Sequence, residues 1–140
     1  MSTKPMQRAR VDGAELEFDV TGAGEPVLLI HGAFIAEAYA PLCAEPALNS
    51  RYRLVRYHRR GYAGSSPVRA PFSIGQQAAD CRALMEYLGI ERAHVVGHSG
   101  GGVIALRLTL DAPEVVHSLI LLEPALLDVP SGALLLQALE

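Results

Sequence analysis

Two kinds of apolar pattern run along the chain, and they predict two kinds of strand. In residues 14–20, Leu16, Phe18 and Val20 alternate with Glu15, Glu17 and Asp19. That period of two predicts a strand with one wet face and one dry face. Asp12-Gly13, just before it, is a turn signal that joins it to residues 8–11 as a hairpin. Val27-Leu28-Leu29-Ile30 is apolar at every position, as in a parallel strand covered on both sides. Tyr52–His58, centred on Leu54 and Val55, reads as the next strand; His94-Val95-Val96 and the all-apolar Ser118–Leu122 follow. Helical patterns separate them. Residues 35–48 are interrupted by Pro41 and Pro46, which limits them to one or two short helices. Residues 59–72, with Gly, Ser and Pro throughout, read as a loop. Ser73 and Gln76 have capping-box spacing, Ile74, Ala78, Cys81, Met85 and Leu88 share one helical face, and Gly89 supplies a stop. A further helix follows Ser99 and is closed by Pro113.

The order after the hairpin is strand, helix, strand, helix, strand, helix, strand. It predicts an α/β fold: a mostly parallel sheet with helices on both faces. Residues 1–130 are expected to form this core, and residues 131–140 to open a lid or cap helix. In such sheets, functional groups gather at the carboxyl ends of the strands. His31-Gly32-Ala33, Ser99 and Glu123 all fall at such ends.

Composition narrows the picture by exclusion. The 140 residues are enough for one domain, and the formal net charge of −3 gives no pull toward nucleic acid or anionic membrane. Arg51, Arg53, Arg56, Arg59 and Arg60 form a basic run, but it straddles a strand and so points to opposite faces. No stretch approaches a membrane span, and the first residues carry no apolar leader, so a cytoplasmic protein is expected. Cys43 and Cys81 make no C-x-x-C pair. No histidine pair has the helical spacing that suggests zinc, so no metal is expected.

The chemistry concentrates in Gly97-His98-Ser99-Gly100-Gly101, a G-x-S-x-G between a strand and a helix. That context is what a nucleophile elbow needs. A serine hydroxyl standing clear of a sheet requires a very tight turn and a strained backbone. The turn brings the residues two before and two after the serine against their neighbours, and Gly97 and Gly101 have no Cβ to clash there. The helix start behind Ser99 offers unpaired N–H groups to a developing oxyanion.

Four segments together resemble the N-terminal half of an α/β-hydrolase, over about residues 8–130. They are His31-Gly32 after the first buried strand, Arg60-Gly61-Tyr62-Ala63-Gly64-Ser65 after the next, the elbow, and Leu121-Leu122-Glu123-Pro124. The second departs from the family's R-G-x-G-x-S by a one-residue offset of its glycine. The resemblance implies strands one to six of the usual eight and no cofactor. It implies hydrolysis of a small-molecule ester or related acyl substrate, with Ser99 as nucleophile and the amides of Ala33 and Gly100 as oxyanion hole. His31, Gly32, Gly97 and Gly101 would support the site. Glu123 would be the catalytic acid in those branches that take it from this strand. His98 would point away from the serine, and His58, His94 and His117 are expected on strands or at the surface. The family's basic histidine comes after the last strand, beyond residue 140. A fragment without that base is therefore expected, with residues 119–122 as an uncovered edge prone to self-association. The reading from a different class is a non-catalytic module that binds small ligands on the same fold.

Overall fold

A computed structural model of the chain describes residues 4–127 and Gln137. Its strands are β1 (Gln7–Val11), β2 (Ala14–Thr21), β3 (Glu25–Ile30), β4 (Tyr52–Tyr57), β5 (Ala93–His98) and β6 (Val116–Leu122). They form one sheet in the order β1-β2-β4-β3-β5-β6. The β1–β2 hairpin is antiparallel, and β2 runs antiparallel to β4; β4, β3, β5 and β6 are mutually parallel. The hairpin turn needs positive φ at both central residues, and Asp12 (φ 44°) and Gly13 (φ 76°) supply it.

The continuous apolar run has the predicted cause. β3 lies between β4 and β5, and Val27, Leu28, Leu29 and Ile30 are all buried. Leu28 and Ile30 face a core made with α3 (Ile74–Tyr87) and α4 (Gly100–Asp111). Val27 and Leu29 face a smaller cluster with Tyr39, Cys43, Leu54 and Val96. There the cover is α1 (Ala40–Cys43) and α2 (Pro46–Asn49), one turn each, each begun by a proline in its first turn. Helices therefore lie on both faces, but unequally. Ile120 (49% exposed) and Leu122 (44%) on β6 project from the thinly covered face.

α3 is delimited by the residues that predicted it. The Gln76 N–H donates to Ser73 Oγ (3.1 Å), and the Ser73 N–H donates to Gln76 Oε1 (2.8 Å). At the other end Gly89 (φ 68°) reverses the chain so that the Ile90 N–H reaches the Met85 carbonyl at 2.8 Å.

The polar side of β2 is not the wet face its alternation predicts. The loop 59–72 folds against it: the N–H groups of Glu15 and Glu17 donate to Ser66 Oγ and Ser65 Oγ, both at 2.9 Å. Glu17's side chain is left only 16% exposed. Apart from Gln137, the expected lid or cap segment, residues 131–140, lies outside the described residues.

Candidate active site

β5 passes into α4 through Ser99, whose φ of 53° and ψ of −119° are unfavourable for a residue with a side chain. β6 holds it there: the Ser99 N–H donates to the Leu122 carbonyl (3.0 Å), and the Ala125 N–H donates to the Ser99 carbonyl (3.1 Å). The flanking glycines are sterically required. A Cβ on Gly97 would lie 2.3 Å from the Gly101 carbonyl oxygen, and one on Gly101 would lie 2.2 Å from that of Ile30. Gly102, not singled out by sequence, is also tight, at 3.0 Å from Pro124. Gly100 is different: a Cβ there meets nothing within 4 Å. Although Ser99 occupies the N-cap position of α4, its hydroxyl makes no capping bond, and it has no hydrogen-bond partner among the described residues. The partly exposed hydroxyl is thus uncommitted at the positive end of a twelve-residue helix.

The loop after β3 runs directly beside it. A Cβ on Gly32 would lie 3.3 Å from Ser99 Cβ. His31, only 1% exposed, fixes this loop. Its Nε2 accepts the Arg59 N–H (3.0 Å), which leaves Nδ1–H to donate to the Gly32 carbonyl (2.7 Å). Burial pushes the His31 pKa down to about 4. At neutral pH the ring is an uncharged clamp with both nitrogens occupied. Arg59 donates from its guanidinium to the Gly32 carbonyl (3.3 Å), Gln77 (2.8 Å) and the Tyr62 hydroxyl (3.0 Å). The amides of Ala33 and Gly100 donate to no acceptor among the described residues.

Sequence reasoning missed a second clamp on the same loop. His58, expected on a strand or at the surface, is buried just past the end of β4. Its Nδ1 meets Glu17 Oε2 (2.7 Å) and its Nε2 meets Glu37 Oε1 (2.5 Å). The bond from His58 is the main reason the Glu17 carboxyl is held below the usual carboxylate range. Glu37 also takes a 2.7 Å bond from Arg56. Glu37 lies four residues past Ala33 and so fixes the far side of the loop. Only the register pairing Phe18 with Tyr57 brings Glu17 and His58 together, and no local motif encodes that register. The arginine run is accounted for in the same way. Arg56 pairs with Glu37, Arg60 makes a two-pronged pair with Asp80 (2.7 and 3.1 Å), Arg53 reaches the Leu88 carbonyl (3.5 Å) and Arg59 is buried, so all but Arg51 of the run are tied into the fold.

Glu123 follows β6 with φ 46°, exposed, and its carboxylate makes no hydrogen bond among the described residues. The two backbone bonds to Ser99 come from residues on either side of it, Leu122 and Ala125. His98 is exposed, with its Nδ1 near Gly32, and among the described residues no histidine hydrogen-bonds to Ser99.

Residues 25–139 match the alpha/beta hydrolase fold family. The chain belongs to the α/β-hydrolase family. This α/β-hydrolase chain is 40% identical over 124 residues to a fluoroacetate dehalogenase of Burkholderia sp., a match covering 84% of the chain and 40% of the relative. It is 36% identical over 114 residues to a putative carbamate hydrolase of Azorhizobium caulinodans, covering 81% and 43%. A hydrolase from Pseudomonas aeruginosa superposes with a TM-score of 0.82 at 26% identity, over 94% of the chain and 51% of that structure. The chain spans about two fifths of the length of the two curated relatives. Among its described residues no helix is long and apolar enough to cross a membrane.

Proposed function

We propose that this α/β-hydrolase chain carries the nucleophile and oxyanion hole of a serine hydrolase acting on a small ester or related acyl compound. Ser99 Oγ attacks the acyl carbon. The Ala33 and Gly100 amides receive the oxyanion, and His31, Gly32, Gly97 and Gly101 hold those parts in place. The observation that carries this reading is the uncommitted hydroxyl of a strained residue beside the His31–Ala33 loop. A serine at its ordinary acidity needs a base, and His31 is engaged at both nitrogens. Among the described residues no histidine hydrogen-bonds to Ser99; the base in this proposal is the histidine that the resemblance implies after the family's last strand, and Glu123 is the acid that would orient it. Glu123's exposed carboxylate beside the elbow, unpaired among the described residues, supports that role. The relatives are named for different substrates, so similarity alone does not choose one. Cytoplasmic residence belongs to the same proposal and is supported by the unpaired, buried Cys43 and Cys81.

Turnover of p-nitrophenyl acetate tests the reading, on this chain and on any longer protein that contains it. Oxyanion-hole stabilisation without the base still leaves a rate about 10³-fold over water. The 140-residue chain should therefore release nitrophenolate slowly but above buffer with or without Ser99, whereas in a longer protein that supplies a base Ser99→Ala should cut release by at least about 10³-fold. Equal rates for that longer protein and its Ser99→Ala form would overturn the proposal. Binding of small acyl compounds with no Ser99-dependent release would favour a binding module instead.

A further inference from the structure

We propose that Glu25, His94 and His117 form a binding site for a divalent transition-metal ion, at the end of the sheet opposite Ser99. The three residues come from three neighbouring strands, and their ligand atoms lie within 4.8 Å of one another. A break in strand register brings them together. Ala93 pairs with Val116 but His94 pairs with Ser118, so β6 holds one extra residue, His117. Val116, Leu119 and Leu121 all pack toward α3 and α4. In regular alternation only one residue would separate Val116 from the next inward position; here two do. Both His117 and Ser118 are exposed, and Ser118 and the His117 ring both meet His94. On β3, Glu25 has the same parity as Val27 and Leu29, which pack in the thinly covered cluster.

The histidine at the centre is oriented as a ligand. His94 Nδ1 lies 2.6 Å from Ser118 Oγ, which turns Nε2 toward Glu25 Oε2 at 3.1 Å. A partner on the second ring nitrogen is what fixes the tautomer of metal-binding histidines. The His117 ring stands perpendicular to that of His94 at 4.5 Å between centroids, and the Tyr52 ring also meets His94 in an edge arrangement at 6.2 Å. Ligands of one tetrahedral ion at about 2.0–2.1 Å lie roughly 3.3 Å apart, so closure from a spread of up to 4.8 Å needs up to about 1.5 Å of movement. Glu25 and His117 are exposed, and Glu25 already reaches His94, so their side chains can supply it. Two imidazoles and one carboxylate suit zinc, nickel or copper rather than magnesium or calcium. One charge opposes binding: Arg92 lines the same hollow. His94 is the second residue of β5 and Ser99 follows its end, a span of about 16 Å along the strand, so this site is separate from the serine.

Calorimetric titration of the chain with Zn²⁺, Ni²⁺ and Mg²⁺ at neutral pH decides it. One Zn²⁺ or Ni²⁺ per chain should bind, and Mg²⁺ should not. His94→Ala and His117→Ala should each weaken binding at least tenfold, and Ser118→Ala about tenfold through loss of orientation. Arg92→Ala should tighten it, and His98→Gln, at the opposite end of the strand, should leave it unchanged. Far-UV circular dichroism shows whether each variant is folded. If His94→Ala is not, the exposed His117→Ala carries the test. No saturable binding by the wild type, or wild-type affinity in folded His117→Ala, would overturn the proposal.

Discussion

Replacing Ser99 by glycine should make the protein more stable while removing its proposed chemistry. At φ 53° and ψ −119° the serine Cβ is crowded by its own backbone, a cost of about 1–3 kcal/mol for such a conformation. Glycine lifts that cost but brings about 0.5–1 kcal/mol of extra chain entropy to the unfolded state. The net gain is about 0–2.5 kcal/mol, centred near 1 kcal/mol, or roughly 3–4 °C in melting temperature for a chain of this size. Ser99→Ala is the control, because alanine keeps the Cβ and loses only a hydroxyl with no hydrogen-bond partner among the described residues. It should stay within about 0.5 kcal/mol of wild type. Urea unfolding of the three proteins, fitted with a common slope, separates the two effects. Should Ser99→Gly prove no more stable than Ser99→Ala, the elbow stores no strain and the reasoning fails.

The other expectations come from the same contacts. Gly101→Ala puts a methyl group 2.2 Å from the Ile30 carbonyl and should destabilise by about 2–4 kcal/mol or abolish soluble expression. Gly100→Ala meets nothing within 4 Å and should unfold within about 1 kcal/mol of wild type; a reversed order would contradict the elbow packing. His31 has a folded pKa of about 4 against an ordinary value of 6.5, so the unfolded chain takes up its proton first as pH falls. Stability tied to His31 is therefore fully present above about pH 6.5 and is lost on acidification toward pH 4, by about 3 kcal/mol at 1.36 kcal/mol per pH unit. Urea midpoints across that range should fall less steeply in His31→Gln; equal slopes would refute this. We propose that the apolar β6 edge drives self-association, so sedimentation should show larger species that Ile120→Lys, at a position 49% exposed, disperses; a wild-type monomer at high concentration would argue against it.

What the sequence made legible is what local rules govern. The hairpin, the capped α3, the all-apolar β3 and the G-x-S-x-G turn each depend on residues close together in the chain, and each appears where its pattern predicts. The elbow and the His31–Ala33 loop, predicted at neighbouring strand ends, are also adjacent in space. What stayed hidden depends on register and on loops folding back. Glu17 looks like a solvated strand residue until the loop 59–72 covers it, and His58 finds Glu37 only through a long-range approach. The extra residue that exposes both His117 and Ser118 likewise has no local signature. The four polar positions Glu17, Glu37, His58 and Arg56 carry ordinary surface chemistry in sequence and form a partly buried network in three dimensions.

The most direct measurement is intact-mass and peptide-map analysis after prolonged treatment with a fluorophosphonate probe. Such probes phosphonylate a serine that a base activates and whose developing oxyanion is supported, so the treatment is applied to a longer protein that contains this chain and supplies the base. A single adduct per chain is expected, on the peptide containing Ser99, and none in Ser99→Ala. An adduct on another residue, or the same labelling with and without the Ser99 hydroxyl, would contradict a nucleophile at the elbow.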